Sequence, residues 1–272
     1  MAVAEVKVED TTKAASRAID KLDISEQFYT VQCEGATTGV PAYFIRLKAC
    51  NLMCGGRDGE LMKTGEATWW CDTEAVWRQG MMKPFYRVTQ AWEKEGITDW
   101  VLDGRVHLIW TGGEPTIPKH QKSIVAFLNW LEKEHGQNKT VMAYNEIETN
   151  GTIPLTPELS DRMQQINCSV KLANSGMPAT RRINPTAIES IMNHPNYWFK
   201  FVISNEEDLE EIETDFIQPF NIPASKVLMM PGLDSQKNFH ERTAFCLEMA
   251  KKYGYIGLTR LHVSAWDKLT GV

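Results

Sequence analysis

The 272-residue chain lacks a long uncharged apolar run, and it has no excess of basic residues. A membrane-spanning helix needs roughly 20 consecutive apolar residues, so we expect no membrane partner. Because phosphate binding needs clustered positive charge, a net charge of −6 disfavours a nucleic-acid partner. The charged start of the chain also lacks the apolar stretch of a secretory signal peptide. Together these absences predict a cytoplasmic protein that binds neither membranes nor nucleic acid.

Internal repeats, low-complexity stretches and Gly/Ser/Pro-rich linkers are also missing. We therefore predict an N-terminal extension over residues 1–25 and a single domain over residues 26–272. In that domain, short β-like runs begin at Ala42, Arg105, Val141, Ile166, Trp198 and Lys226. Amphipathic runs that predict helices cover residues 82–96, 120–136, 185–193, 206–216 and 239–254. This alternation predicts an α/β fold with a mainly parallel sheet, in which reactive groups collect at the carboxyl ends of the strands.

The six cysteines are irregularly spaced, which in a cytoplasmic protein favours metal ligation for some and burial for others. Cys168 and Cys246 lie in apolar stretches, so we expect both in the core. Cys50, Cys54 and Cys71 can instead hold three corners of an iron–sulfur cube and leave the fourth iron open to another ligand. A structural zinc site would need a fourth protein ligand, and the sequence offers no histidine near these cysteines.

Further polar segments lie next to predicted strands. The two glycines of the TGGEP string at Thr111–Pro115 let the backbone approach a ligand closely, although the string also suits a plain strand-to-helix turn. In that string, Glu114 could accept a hydrogen bond from a ligand amino group. The ETNG string at Glu148–Gly151 suits the hydroxyls of a ribose or a simple Asn-Gly turn. Arg46 could bind a substrate carboxylate in a bidentate manner, or it could be an ion-paired strand residue.

Residues beside Cys71 offer further chemistry. The hydroxyl of Thr73 is a hard oxygen ligand of the kind that magnesium prefers. Trp69 and Trp70, just before the cysteine, could shield a cluster or stack on an adenine ring. The directly adjacent basic pairs, Arg181–Arg182 and Lys251–Lys252, are expected on the solvated surface.

These segments together resemble the radical S-adenosylmethionine superfamily, and within it the 7-carboxy-7-deazaguanine synthase family. The matching strings, from about Glu26 to the C-terminus, are EQFYTVQCEG, GVPAYFIRLKACNLMC, CDT, TGGEP, IETNGT, SVKLANSG, KFVIS and MPG. The resemblance implies a partial (β/α)6 barrel. It also implies a carbon–nitrogen lyase that converts 6-carboxy-5,6,7,8-tetrahydropterin to 7-carboxy-7-deazaguanine with loss of ammonia, in queuosine and deazapurine biosynthesis. The implied cofactors are a [4Fe–4S] cluster, S-adenosylmethionine and Mg²⁺, and the implied partners are a flavodoxin- or ferredoxin-type electron donor and a second copy of the chain in a homodimer.

The same resemblance assigns roles to individual residues. Cys50, Cys54 and Cys71 are implied to hold the cluster, and Thr73 to ligate magnesium. The residues implied to bind S-adenosylmethionine are Gly113, Glu148, Ser169, Val170, Lys171, Met230, Pro231, Gly232 and Leu233. The residues implied to bind the pterin are Val31, Gln32, Cys33, Arg46, Thr111 and Val272.

The chain departs from the family pattern in several places. Residues 55–70 separate the last two cluster cysteines, far more than the superfamily usually has, which gives an expanded cluster loop over residues 50–71. Cys33 stands where glycine is usual, and Val170 stands where proline is usual.

Two other functions are compatible with parts of this pattern. An activase for a glycyl-radical enzyme would share the cluster and the TGGEP string, but it would need a protein partner and would not need Thr73 or the segment Gln32–Gly35. A zinc-stabilised binding protein would have no catalytic activity. It would also be colourless, whereas an iron–sulfur protein is brown.

Overall fold

The computed structural model describes residues 19–136, 140–233, 235–269 and 271, and these residues fold around one nine-stranded sheet. Its strands are β1 (Lys21–Val31), β2 (Pro41–Leu47), β3 (Met81–Pro84), β4 (His107–Gly112), β5 (Asn145–Thr149), β6 (Gln165–Cys168), β7 (Tyr197–Ile203), β8 (Val227–Pro231) and β9 (Ile256–Gly257). Their order across the sheet is β3-β1-β2-β4-β5-β6-β7-β8-β9. Neighbours from β2 to β9 are parallel, whereas β1 pairs antiparallel with β2 and with β3.

The predicted α/β fold with a mainly parallel sheet is confirmed. The six predicted strands are β2, β4, β5, β6, β7 and β8, which are consecutive in the sheet. The sheet stays open in the described part of the chain, as a partial barrel does. Three strands were not predicted, namely β1, β3 and β9.

Two boundaries differ from the sequence-based expectation. The helix predicted from Met82 begins only at Phe85, because residues 81–84 pair with residues 21–24 of β1 and form β3. Strand β1 begins inside the segment assigned to the N-terminal extension, because Leu22 and Ile24 are fully buried in the core. Residues 1–18 of that extension lie outside the described residues, and its boundary stays a prediction.

Helices follow most strands of the parallel sheet. They are α1 (Glu60–Thr64), α2 (Glu74–Trp77), α3 (Phe85–Glu95), α4 (Thr98–Leu102), α5 (Pro118–His135), α6 (Pro157–Ser160), α7 (Ala179–Arg182), α8 (Pro185–Met192), α9 (Glu207–Glu211), α10 (Gln218–Phe220), α11 (Phe239–Tyr253) and α12 (Leu261–Trp266). A π-helical turn, Ile212–Ile217, joins α9 to α10. The five predicted helical runs correspond to α3, α5, α8, the α9–α10 stretch and α11. In the described residues, every helix is too short or too polar to cross a membrane.

The two faces of the central strands differ in polarity because strand side chains alternate between faces. Leu108, Trp110 and Ile147 are fully buried in the core. Glu146 and Glu148 lie on the opposite face of β5, which looks into the barrel. This face therefore carries polar groups on β5 beside apolar ones such as Ile109, the partner of Glu146 on β4.

The polar floor of the barrel centres on Glu146, whose side chain is fully buried. Its carboxylate accepts hydrogen bonds from three side chains, Thr37 at 2.8 Å, Gln165 at 3.1 Å and Asn167 at 3.0 Å. His107 Nδ1 lies 2.5 Å from the same carboxylate. Since burying an unpaired carboxylate is costly, these partners stabilise the buried Glu146.

Expectations for single residues have mixed outcomes. Cys168 and Cys246 are fully buried, as predicted. Lys251 and Lys252 are exposed, as predicted. The surface placement of Arg182 is wrong: it is 4% exposed, because it ion-pairs with Glu211 at 2.6 Å.

Candidate active site

One cavity of about 460 Å³ opens at the carboxyl ends of the parallel strands. It is lined by all but three of the residues that the sequence resemblance singled out. Val170 and Pro231 are buried next to lining residues, and Val272 lies outside the described residues. The described site residues that line the cavity are Val31, Gln32, Cys33, Arg46, Cys50, Cys54, Cys71, Thr73, Thr111, Gly113, Glu148, Ser169, Lys171, Met230, Gly232 and Leu233. Segments from distant parts of the sequence thus share one space.

The expanded cluster loop brings its two ends together. The amide of Cys71 donates a hydrogen bond to the carbonyl of Cys54 at 3.2 Å. Gly55, at φ +77°, makes this closure possible, because a Cβ there would lie 2.6 Å from the Cα of Trp70. The residues inserted between the two cysteines therefore do not separate them in space.

The same loop packs against the segment after β6. Gly55 N donates to Ser175 O at 2.8 Å, and Thr68 N donates to Asn174 O at 2.9 Å. Trp69 Nε1 donates to Asn174 Oδ1 at 2.8 Å. These bonds make the inserted residues a wall of the cavity.

The burial of Cys50 and Cys54 fits ligation of a positively charged inorganic centre. Burial raises the pKa of Cys50 to about 12, with the nearby Glu114 charge adding to the effect. Burial also raises the pKa of Cys54 to about 11. Thiolates at these positions need a cationic partner to be stable.

The spacing of the thiols also bears on the type of centre. Among the described residues, no three Cys, His, Asp or Glu side chains are grouped closely enough to hold a metal ion. A [4Fe–4S] cluster takes its thiolates on separate irons, so its ligands surround a cube and do not converge on one ion. Three thiols that line one cavity are compatible with that arrangement.

Glu148 is held by two side chains that also line the cavity. Gln32 Nε2 donates to one carboxylate oxygen at 3.2 Å, and Thr111 Oγ1 donates to the other at 2.9 Å. Gln32 also accepts a hydrogen bond from Glu34 N at 3.2 Å. Glu148 is therefore fixed in direction, while its half-buried carboxylate still borders the cavity.

Local packing and hydrogen bonding explain two residues of the TGGEP string, Gly113 and Glu114. A Cβ on Gly113 would lie 1.7 Å from the carbonyl oxygen of Ala49, so only glycine fits there. Glu114 is 1% exposed, and its carboxylate accepts four hydrogen bonds, from Thr116 N at 2.9 Å, Thr116 Oγ1 at 2.6 Å, Thr149 Oγ1 at 2.8 Å and Asn150 N at 2.8 Å. It joins the TGGEP string to the ETNG string, and a contact with a ligand amino group stays a prediction.

Arg46 is an ion-paired strand residue, one of the two roles that the sequence suggested, and its binding of a substrate carboxylate stays a prediction. Its Nη1 donates to Glu26 at 2.8 Å, and its guanidinium lies 5.0 Å from the ring centroid of Phe28. It is nevertheless 17% exposed and borders the cavity. The described end of the chain reaches this pair, since a Cβ on Gly271 would lie 3.0 Å from Glu26 Oε1.

Lys171 contributes a second positive charge to the cavity wall. Its Nζ donates to Ser169 Oγ at 2.9 Å and lies 5.6 Å from the ring centroid of Trp69. Thr73 Oγ1 lies 3.4 Å from Cys71 Sγ, at the same side as the cysteines.

A charged cluster around Glu34 lines the cavity, and it includes Arg260, which the sequence did not indicate. Its carboxylate is bound by Lys200 and, at 3.0 Å, by Arg260 Nε. Burial opposes ionisation of Glu34, but the charges of Lys200 and Arg260 outweigh it and hold its pKa well below the usual range. Arg260 also binds Asp72 and the carbonyl of Leu233. Glu34, Asp72 and Lys200 lie in strings that match the family, whereas no local pattern marks Arg260.

The chain was compared with known proteins. No family model matches it. It is 29% identical over 257 residues to the 7-carboxy-7-deazaguanine synthase of Pyrobaculum aerophilum, covering 93% of this chain and 99% of that relative. It is 25% identical over 287 residues to the 7-carboxy-7-deazaguanine synthase of Halobacterium salinarum, covering 95% of this chain and 96% of that relative.

A solved structure supports the same comparison at the level of the fold. The crystal structure of QueE from Escherichia coli matches with a TM-score of 0.59 and 22% identity, over 89% of this chain and 95% of that one. The similarity predicted from the sequence is therefore confirmed over nearly the whole length of the chain.

Proposed function

We propose that the chain is a 7-carboxy-7-deazaguanine synthase, a radical S-adenosylmethionine lyase that converts 6-carboxy-5,6,7,8-tetrahydropterin to 7-carboxy-7-deazaguanine with loss of ammonia. The observation that carries the proposal is the single cavity in which three cysteines, Glu148 and Arg46 meet. The relatives that carry this name match along almost their entire length.

The three cluster cysteines would hold a [4Fe–4S] centre, with S-adenosylmethionine bound beside it. Together, when bound, these cofactors supply the one-electron chemistry that starts the substrate rearrangement. The role of the protein is to bind, orient and exclude water. Trp69 and Thr68 of the expanded loop line the cavity and would close it on the cofactor side.

The cofactor subsite offers groups of both charges. Lys171, oriented by Ser169 and Trp69, would attract the carboxylate of S-adenosylmethionine. Glu148, oriented by its two donors, would accept hydrogen bonds from hydroxyl or amino groups. The segment Met230–Leu233 and the glycine at Gly113 would let the backbone approach the cofactor closely. Val170 and Pro231 would contribute only through their backbone, because their side chains are buried.

The substrate subsite adjoins it through Gln32. This side chain binds Glu148 and also accepts from the amide of Glu34. Gln32 thus connects the cofactor subsite to the substrate subsite. Such closeness is needed because hydrogen transfer between two bound molecules requires a short distance between them. Arg46 would bind the pterin carboxylate, with Glu26 as its partner when no substrate is present. Val31, Cys33, Thr111 and Val272 complete the proposed substrate residues.

We also propose the finer features that the family implies. Thr73 would ligate Mg²⁺, which would orient the substrate. A flavodoxin- or ferredoxin-type protein would supply the electron, and the enzyme would act as a cytoplasmic homodimer. A single domain over residues 26–272, with the expanded loop at residues 50–71, would contain all of these sites.

The test is anaerobic reconstitution with iron and sulfide, followed by incubation with S-adenosylmethionine, Mg²⁺, a reductant and the pterin. We expect a brown protein that forms 7-carboxy-7-deazaguanine, detected by mass spectrometry. Cys71→Ala should lose the cluster and all turnover, whereas Cys246→Ala, in the core away from the cavity, should retain both.

Two outcomes would replace the proposal. An iron-loaded protein that cleaves S-adenosylmethionine but leaves the pterin intact would indicate an activase. A colourless protein that takes up zinc and shows no turnover would indicate a binding protein.

A further inference from the structure

We propose that Arg260 is a positioning residue that couples the substrate, magnesium and cofactor subsites, so that filling one subsite favours filling the others. The inference rests on the proposed function and goes beyond the residues that the family resemblance assigns. Arg260 lies near the C-terminal end of the chain, just before α12. It borders the cavity without being part of any segment singled out in the sequence.

The three nitrogens of its guanidinium bind three separate segments of the chain. Nε donates to Glu34 Oε1 at 3.0 Å, Nη2 donates to the carboxylate of Asp72, and Nη1 donates to the carbonyl of Leu233. These partners are 226, 188 and 27 positions away in the sequence. Because the guanidinium is planar and rigid, it fixes the three partners relative to one another.

Each partner is adjacent to, or part of, a proposed binding segment. Glu34 directly follows Cys33 in the substrate segment. Asp72 stands between Cys71 and Thr73, next to the proposed magnesium ligand. Leu233 ends the segment that would contact S-adenosylmethionine. One side chain therefore spans all three subsites.

The surroundings favour a fixed guanidinium. Arg260 and Glu34 are 14% and 15% exposed, so solvent screens the pair little. Lys200 and Arg260 together balance the carboxylates of Glu34 and Asp72. A second contact anchors the same stretch, since the amide next to Arg260, that of Leu261, donates to Cys33 O at 3.2 Å.

A shared anchor has a thermodynamic consequence. A ligand that shifts one segment also shifts Arg260, because the guanidinium is bound to all three segments, and this favours the ligand-bound arrangement of the other two. The pterin should therefore tighten the binding of S-adenosylmethionine, and the reverse must hold by the same factor. A merely structural arginine would stabilise the fold without linking the two ligands.

The experiment measures this coupling directly. Anaerobic calorimetry on the reconstituted, oxidised enzyme with Mg²⁺ gives the affinity for S-adenosylmethionine with and without the pterin, in the absence of turnover. We expect the pterin to tighten binding about 5- to 150-fold in the unmodified protein. In Arg260→Gln this tightening should fall to about twofold or less. Arg260→Lys keeps the positive charge but not the planar set of donors, so its tightening should lie between those of Arg260→Gln and the unmodified protein.

A matched control is Arg242→Gln, because Arg242 Nη1 donates to the same cofactor segment, at Gly232 O, 2.7 Å away. It should weaken S-adenosylmethionine binding while the coupling remains. The inference is overturned if Arg260→Gln lowers the unfolding temperature but leaves the coupling factor unchanged, or if the two ligands bind independently in the unmodified protein. A protein that does not bind the pterin at all would instead refute the proposed function.

Discussion

The buried ion pair between Glu34 and Lys200 allows a sharp prediction about stability. Lys200 is 4% exposed, and Glu34 is the carboxylate that it contacts directly. Glu34, in contrast, has a second cation, Arg260, at 3.0 Å. Substitution of Glu34 should therefore destabilise the protein more than substitution of Lys200.

The expected magnitudes follow from what each substitution leaves behind. Glu34→Gln leaves the ammonium of Lys200 buried without its counter-charge, which should cost about 3–5 kcal/mol of unfolding free energy. Lys200→Met leaves Glu34 paired with Arg260, so the loss should be about 1.5–3 kcal/mol, the value of one hydrogen bond to a charged group. The double variant leaves no buried charge unpaired at this position. Its cost should fall below the sum of the single costs by about 0.5–3 kcal/mol.

The assay is urea unfolding of the reconstituted protein, followed by tryptophan fluorescence at neutral pH. All three variants and the unmodified protein are compared under the same anaerobic conditions. The reasoning is refuted if Lys200→Met destabilises as much as Glu34→Gln, or if the costs of the two substitutions simply add.

The stability that the Glu34–Lys200 pair contributes depends on pH. Burial alone would lower the pKa of Lys200, but the charge of Glu34 outweighs it and raises that pKa above its ordinary value. The contribution of Lys200 is therefore complete below its ordinary pKa and is lost as the pH rises through the raised pKa. The lowered pKa of Glu34 gives a contribution that is complete above the ordinary carboxyl pKa and is lost as the pH falls through the lowered one. Lys200→Met should accordingly lose stability less steeply at high pH than the unmodified protein.

Three further substitutions test the site. Gly113→Ala should prevent cluster loading, because the new Cβ would lie 1.7 Å from Ala49 O; near-normal iron content after reconstitution would contradict this. Trp69→Leu removes a ring that stacks on Lys171, so S-adenosylmethionine affinity in anaerobic calorimetry should fall about 2- to 30-fold, and an unchanged affinity would argue against the proposed wall. Arg46→Gln should raise the KM for the pterin about 10- to 100-fold, whereas an effect confined to kcat would exclude a binding role.

Much of the fold was predictable because β2, β4, β7 and β8 are short apolar runs and amphipathic helical runs lie between strands. The three strands that were not predicted, β1, β3 and β9, are not continuous apolar runs. Residues 81–84 form β3 only because residues 21–24 lie beside them, and such pairing depends on tertiary context more than on local propensity. Strand β9 has two residues, Ile256–Gly257, too few to show any periodicity.

The candidate site was predictable where short strings carry the chemistry, and not where single side chains reach across the fold. The cysteines, Glu148 and Arg46 belong to segments that adjoin predicted strands, and the cavity brings them together. Arg260 binds partners 226 and 188 positions away, and Arg182 finds Glu211 only when the helices pack. Nothing in the neighbouring residues of either arginine indicates those partners.

The contact between Cys71 N and Cys54 O has a consequence for how such proteins diverge. Residues 55–70 begin and end at this contact, so their number can change while the geometry of the two cysteines is kept. The entropic cost of a longer loop also grows only slowly with its length. Searches that demand a fixed cysteine spacing would overlook chains built this way. The tip near Thr64 and Gly65, which is exposed, is accordingly a natural point at which to graft a reporter peptide without moving the sulfur atoms.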